Sequence, residues 1–281
     1  MNLPEEVRKS VAQSYARAVD QPSPGKSSCC CGPTRKGVTA LLAGYTRELL
    51  TTLPADAVQN AFGCGNPIAL AEIRQGDTVL DLGSGAGIDV LLAAKLTGPS
   101  GQVIGIDMTP TMIHRARANA EAADLTNIEI RQGIIENLPV ESNSIDLILS
   151  NCVINLSPEK PRVFAEMFRV LRAGGRFVIS DVVAEPLPSW IKELSQLYSA
   201  CIAGAIPETD YLAGLRAAGL VDVAVRDRLV YGRSELSALI DSELAGSSCC
   251  GSAGLSAETI AKAVEALAGT VASIQITGRK K

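Results

Sequence analysis

The chain predicts an α/β fold: an open, mostly parallel sheet of seven strands with helices on both faces. Three observations predict it. From Asp77 onward, short apolar runs alternate with stretches of helical character, the order that builds a parallel sheet by right-handed crossovers. The composition is 47% hydrophobic but only 4% aromatic, and Ala, Leu, Ile, Val and Gly dominate. That balance suits strands buried on both faces better than an all-β sandwich. Finally, 281 residues are ample for one large core with a smaller appended lobe.

In order along the chain, Met1 to Asp20 reads as helix. Gln21 to Gly37 is a Pro/Gly/Ser-rich loop that carries Cys29, Cys30 and Cys31. Tyr45 to Ile73 is expected to be mostly helical and to enter the core through Gly63-Cys64-Gly65-Asn66-Pro67. Strands follow at Thr78–Leu82, Gln102–Asp107, Asn127–Gln132, Ser144–Ser150 and Arg176–Asp181. Helices are expected at Ile88–Leu96, Thr111–Ala123 and Glu159–Leu171, the last closed by Ala173-Gly174-Gly175. Helical stretches near Trp190–Ala203 and Asp210–Ala218 come next. Two closing strands, Val221–Arg226 and Val271–Thr277, flank a helical insertion, Ser234–Gly269, with a small loop at Cys249-Cys250. There is no internal repeat.

Charge and cysteine usage narrow the function. A net charge of −4 argues against nucleic acid as a partner, which wants a basic face. Met1–Asp20 carries Glu5, Glu6, Arg8 and Lys9 and does not read as a signal peptide. No segment reaches the ~18–20 apolar residues of a membrane span, so the expected location is cytoplasmic. Eight cysteines without a leader do not suggest a secreted disulfide framework; the thiols are structural, metal-binding or redox-active.

Asp81-Leu82-Gly83-Ser84-Gly85-Ala86-Gly87 ends one strand and opens a helix. Glycines there allow a tight turn and close backbone approach to a ligand, at the carboxyl edge where such sheets bind ligands. The spacing is G-x-G-x-G rather than the G-x-G-x-x-G that seats a dinucleotide pyrophosphate. With Asp81 before it and Asp107 ending the next strand, the pattern implies S-adenosylmethionine: Asp81 for the ammonium of its tail, Asp107 for the ribose hydroxyls. A structural glycine turn and a nicotinamide enzyme are the alternatives. In this architecture Gly133 to Pro139 lies beside the adenine, with Ile135 against the ring and Glu136 accepting from the exocyclic amine; an ordinary strand-to-helix loop is the competing reading. His114, the lone histidine, reads as a surface or packing residue rather than a catalyst.

Three isolated cysteines fall near that edge: Cys64 between two glycines, Cys152 after the fourth strand, and Cys201 after the fifth. None forms the C-x-x-C pair of a zinc ribbon. Taken singly, a buried cysteine is more often a small hydrophobe; beside a methyl donor, three together suggest a soft-centre site.

The chain resembles the arsenite methyltransferases. The resemblance rests on Phe62-Gly63-Cys64-Gly65-Asn66-Pro67, the Asp81 to Gly87 turn, Gly105-Ile106-Asp107-Met108-Thr109, Ser150-Asn151-Cys152-Val153-Ile154-Asn155-Leu156 and Cys201-Ile202-Ala203-Gly204-Ala205. It runs from about Val38 to Leu220 and implies a Rossmann-like class I methyltransferase fold. It also implies transfer of the S-adenosylmethionine methyl group to arsenite or methylarsenite held by Cys64, Cys152 and Cys201, with Met108 and Asn151 joining the cofactor residues. A redox role falls to the Cys29–Cys31 cluster, reset by a thiol reductant such as thioredoxin or glutathione. Cys249 and Cys250 have no counterpart in the core motifs. The corresponding domains are residues 1–75, a helical and cysteine-rich arm with the substrate loop; 76–183, the cofactor core; and 184–281, a lid over the arsenic site with the closing strands. A methyltransferase of small organic acceptors and a metal-sequestering thiol protein are the competing functions. The first leaves the cysteines idle; the second leaves Asp81 to Gly87 and Asp107 unexplained.

Overall fold

A computed structural model describes residues 4–20, 40–41, 43–192, 201–244 and 256–281. The sheet has seven strands: β1 (Thr78–Leu82), β2 (Gln102–Asp107), β3 (Ile128–Gln132), β4 (Ile145–Asn151), β5 (Leu171–Ala184), β6 (Leu220–Val230) and β7 (Val271–Lys280). Their spatial order is β3-β2-β1-β4-β5-β7-β6. The first five run parallel, and β7 is antiparallel to both β5 and β6. Val79, Leu80, Leu82, Leu147, Ile148 and Leu149 are all buried, as expected of central strands covered on both faces. Each such side chain contributes ~1.5–3 kcal/mol of apolar transfer. Chain direction reverses between β1, which leads outward to β2 and β3, and β4, which leads the other way. Loops diverge at such a switch point and leave a crevice at the carboxyl ends.

The helices are α1 (Pro4–Asp20), α2 (Arg47–Leu50), α3 (Ala55–Gln59), α4 (Ile88–Thr97), α5 (Pro110–Ala122), α6 (Lys160–Val170), α7 (Ser189–Lys192), α8 (Glu208–Ala217), α9 (Arg233–Leu244) and α10 (Ala257–Leu267). α4 buries eight of its ten residues, because β-strands flank one side and the Tyr45–Ala61 segment covers the other. No described helix is long and apolar enough to cross a membrane.

Three expectations are corrected. Tyr45–Ile73 is not mostly helical: α2, α3 and a 3-10 turn at Pro67–Leu70 are short pieces, cut by Pro54 and by the glycines of the Cys64 loop. Ala173-Gly174-Gly175 does not close α6. That helix runs directly into β5, and the three residues lie within the strand, where the register shifts between Ile145 and Leu147 and Gly174 takes φ 76°. The glycines serve an irregular strand, where a side chain at Gly175 would meet two carbonyl oxygens at 2.9 Å. The helix expected over Trp190–Ala203 is described only as α7, and Cys201–Gly204 forms turns.

Candidate active site

One cleft opens at the carboxyl ends of β1, β2 and β4. Its lining includes Asp81, Gly83, Gly85, Asp107, Met108, Ile135, Glu136, Asn151 and Cys152, so these sequence-singled residues are brought together. Gly87 is not in the lining; with φ 98° it forms the N-cap of α4. Gly83 and Gly85 both have positive φ. A Cβ on Gly83 would sit 2.4 Å from Val153, whereas one on Gly85 would point into open space. The turn therefore leans on the chain at Gly83 and presents bare backbone to a ligand at Gly85.

The acids define the cleft's electrostatics. Asp107 is fixed by two backbone donors, Gly85 N to Oδ2 at 2.9 Å and Thr109 N to Oδ1 at 2.8 Å; each oxygen keeps a further lone pair. Asp81 is 3% exposed and has no hydrogen-bond partner among the described residues. Burial, with the charges of Asp89 and Asp107 beside it, pushes its carboxyl well above the ordinary range. Burial likewise raises Asp107 and lifts Asp89 to about 6, against hydrogen bonds from Tyr45 and Asn151. Ser84, also in the lining, carries a buried hydroxyl with no partner among the described residues. Buried polar groups demand partners, and these suit a ligand carrying a cation and hydroxyls. The cleft's buried acids and hydroxyl fit S-adenosylmethionine, which carries a positive tail and ribose hydroxyls.

Two of the expected cofactor residues also make contacts within the chain. Glu136 accepts from Ser157 Oγ at 2.7 Å and Arg8 Nη1 at 3.1 Å through one oxygen. Asn151 spends its amide on the Cys64 loop: Cys64 N and Gly65 N donate to Oδ1, while Nδ2 reaches Gly65 O, Tyr45 Oη and Asp89 Oδ2.

Cys64 and Cys152 are joined in a disulfide, their Cα atoms 5.9 Å apart. Cys201 is buried outside that disulfide, and its Sγ donates to Cys152 O at 2.8 Å. All three lie in one apolar cluster, together with Leu236, Ile240, Ala263 and Leu267 of the late insertion. Cys152 and Cys201 have φ 57° and 59°, a left-handed backbone that costs a non-glycine residue ~1–2 kcal/mol. Such outliers cluster at functional sites. Asp181 brings a carboxylate oxygen within 4.8 Å of both Cys64 and Cys152 sulfurs. It is fully buried, accepts from Tyr211 Oη, and is lifted by that burial to about 6.

Sequence reasoning missed Tyr45, Asp89, Asp181 and the cleft side of α1, which contributes Arg8, Val11 and Tyr15. His114 is exposed. Cys29, Cys30, Cys31, Cys249 and Cys250 lie outside the described residues.

Residues 73–232 match a family profile described as a methyltransferase domain. The chain is 43% identical over 237 residues to an arsenite methyltransferase of Halobacterium salinarum, covering 80% of this chain and 60% of that protein. It is 34% identical over 224 residues to one of Aquipseudomonas alcaligenes, covering 77% and 62%. Among solved structures, an arsenic(III) S-adenosylmethionine methyltransferase from Chlamydomonas reinhardtii matches with TM-score 0.61 and 33% identity, covering 87% of this chain and 73% of that one. The chain thus spans about 60% of the length of these two curated relatives.

Proposed function

We propose, since this chain belongs to the arsenite methyltransferase family, that it transfers the methyl group of S-adenosylmethionine to trivalent arsenic held by Cys64, Cys152 and Cys201. The observation that carries the reading is the meeting of Cys64 and Cys152, 88 residues apart in sequence, where Cys152 lines a cleft that also holds the Asp81 carboxylate. Bound in that cleft, S-adenosylmethionine supplies a methyl group on a cationic sulfonium.

The chain's own residues do the rest. With the disulfide reduced, three soft thiols can replace the three hydroxyls of arsenite and release three waters. Arsenic so held would keep a lone pair, and Cys152, which lines the cleft, would hold it on the side of the methyl donor; transfer requires a near-attack separation of ~3–3.5 Å. No base is needed at the transfer itself, which accords with the absence of a histidine from the cleft lining. The apolar cluster around the cysteines, closed by α9 and α10, excludes water from the thiol complex. Transfer leaves arsenic formally pentavalent. Two thiolates return it to the trivalent state by giving up two electrons as a disulfide, which an external dithiol of thioredoxin type, or glutathione, then reduces. The Cys29–Cys31 cluster is assigned to that recycling, and methylarsenite is the second substrate.

The test is incubation of the chain with S-adenosylmethionine, arsenite and a thiol reductant, followed by speciation of the arsenic. Methylated arsenicals are expected, and Cys201→Ser should abolish them while S-adenosylmethionine still binds. Full methylation by Cys201→Ser would remove Cys201 from the site; no methylated product from a donor-binding wild type would overturn the reading.

A further inference from the structure

We propose that Asn151 is a positioning residue that couples occupancy of the methyl-donor cleft to the placement of the Cys64 thiol. The inference rests on the methyl-transfer reading above but concerns a link between two sites, not either site alone.

The link is visible in one side chain. Asn151 ends β4 between the cleft and the cysteine loop. Its Oδ1 accepts from Cys64 N at 3.2 Å and Gly65 N at 3.3 Å, and its Nδ2 donates to Gly65 O at 2.8 Å. The loop is thereby clamped on both sides of its peptide units. These partners also fix which end of the amide is oxygen. A Cβ at Gly63 would lie 2.5 Å from Asn151 Nδ2, so the loop backbone is pressed directly against the amide. Ser273 Oγ holds Cys64 O from the opposite side at 2.9 Å.

The other end of the link is the acid pair of the cleft. Nδ2 has two hydrogens for three acceptors. The shortest bond takes one; Asp89 Oδ2 and Tyr45 Oη, both at 3.2 Å, share the other. Tyr45 Oη in turn donates to Asp89 Oδ1 at 2.5 Å. Asp89 lines the cleft beside Asp81. A cation entering there competes for the Asp89 carboxylate and shifts the shared hydrogen toward Tyr45. The clamp on Cys64 therefore has two arrangements, which the donor biases, and that is the physical content of coupling. Cys64 itself is not part of the cleft lining, so the donor reaches it through the loop.

The experiment follows the alkylation rate of Cys64 by iodoacetamide in the reduced full chain, read by mass spectrometry with and without saturating S-adenosylhomocysteine. In the wild type the ligand is expected to change that rate about fivefold or more; in Asn151→Ala the change falls under about twofold although the ligand still binds. Tyr45→Phe, which deletes only the shared hydroxyl, is a milder second variant and should give an intermediate dependence. A merely structural asparagine would lower the melting temperature equally with and without ligand and leave the ligand dependence of this one rate intact. An unchanged dependence in both variants, or none in the wild type, overturns the proposal. The methyl-transfer reading fails separately: arsenite is then not methylated, yet S-adenosylhomocysteine still governs Cys64.

Discussion

Asp81 is a buried carboxylate to which no described residue donates, in a cleft that also holds Asp89 and Asp107. Three acids in so small a volume disfavour one another's ionised forms. A ligand with a positive tail relieves that cost, so under the proposed function the acids would act as a trap for the donor's cation. Asp81→Asn keeps shape and removes the charge; the loss of one charged hydrogen bond, ~1.5–3 kcal/mol, weakens donor binding by about 10- to 150-fold. The pH dependence has a definite sign. A raised carboxyl is charged only above its shifted value, so affinity for the cation is present at higher pH and lost as pH falls through about 6, where Asp89 takes a proton. Calorimetric titration from about pH 8 to about pH 5 checks both; a flat profile, or full affinity in Asp81→Asn, would remove the acids from the site. The placement of Asp81 and Cys64 was legible because each stands beside a glycine turn, and that of Asp107 because it ends an apolar strand. Asp89 was not: an acid at the second position of α4 reads as an ordinary complement to a helix N-terminus. Tyr45, distant in sequence, is brought to it only by tertiary packing.

At the scale of elements, the strands were legible to within a few residues, because apolar runs bounded by polar turns leave little choice. The long reach of β6 and β7 beyond the expected ends was not, since most of their added residues are exposed or polar, and β5 begins early through the exposed Arg172-Ala173-Gly174. The helix Pro4–Asp20 was legible, its position was not. α1 packs against α5, and Arg8, Val11 and Tyr15 wall the cleft. Arg8 bridges Glu136 and Glu159 at 3.1 Å each, and Tyr15 meets Phe62 edge-on at 5.5 Å. Glu136 is buried and Arg8 only partly exposed, so this ion pair is worth more than a surface one. Arg8→Ala leaves the Glu136 carboxylate with Ser157 alone. The expected result is a stability loss of ~1–3 kcal/mol and a smaller rise in melting temperature on adding S-adenosylhomocysteine than the wild type shows, because α1 no longer holds that side of the cleft. Equal ligand-induced shifts in the two proteins would mean that α1 only packs there.

At the scale of the whole molecule, the topology brings distant thiols to one wall. Cys64 precedes β1, Cys152 follows β4 and Cys201 follows β5, all at the edge where strand order reverses. A Cys64–Cys152 disulfide ties residues 88 apart, and the chain-entropy account gives such a loop ~4–5 kcal/mol of stabilisation through the unfolded state. Reduction, which the proposed arsenic site requires, removes that tie and should lower the melting temperature by about 10 °C, at ~2–4 °C per kcal/mol. In the proposed site arsenite would then restore a tie of a different kind. Thiolates of Cys64, Cys152 and Cys201 on one arsenic cross-link the same segments, and a ligand that binds only the folded arrangement raises stability with its concentration. In the oxidised chain two of the three sulfurs, those of Cys64 and Cys152, are bonded to each other, so that cross-link cannot form. Thermal melts of four samples, oxidised and reduced, each with and without arsenite, therefore separate the states. Arsenite should raise the melting temperature of the reduced chain by several degrees, in proportion to the logarithm of its concentration, and leave the oxidised chain where it was. An equal shift in both forms would place arsenic binding on cysteines other than Cys64 and Cys152. No shift in the reduced form, in a chain that S-adenosylhomocysteine still stabilises, would show that the three thiols converge for packing and redox alone.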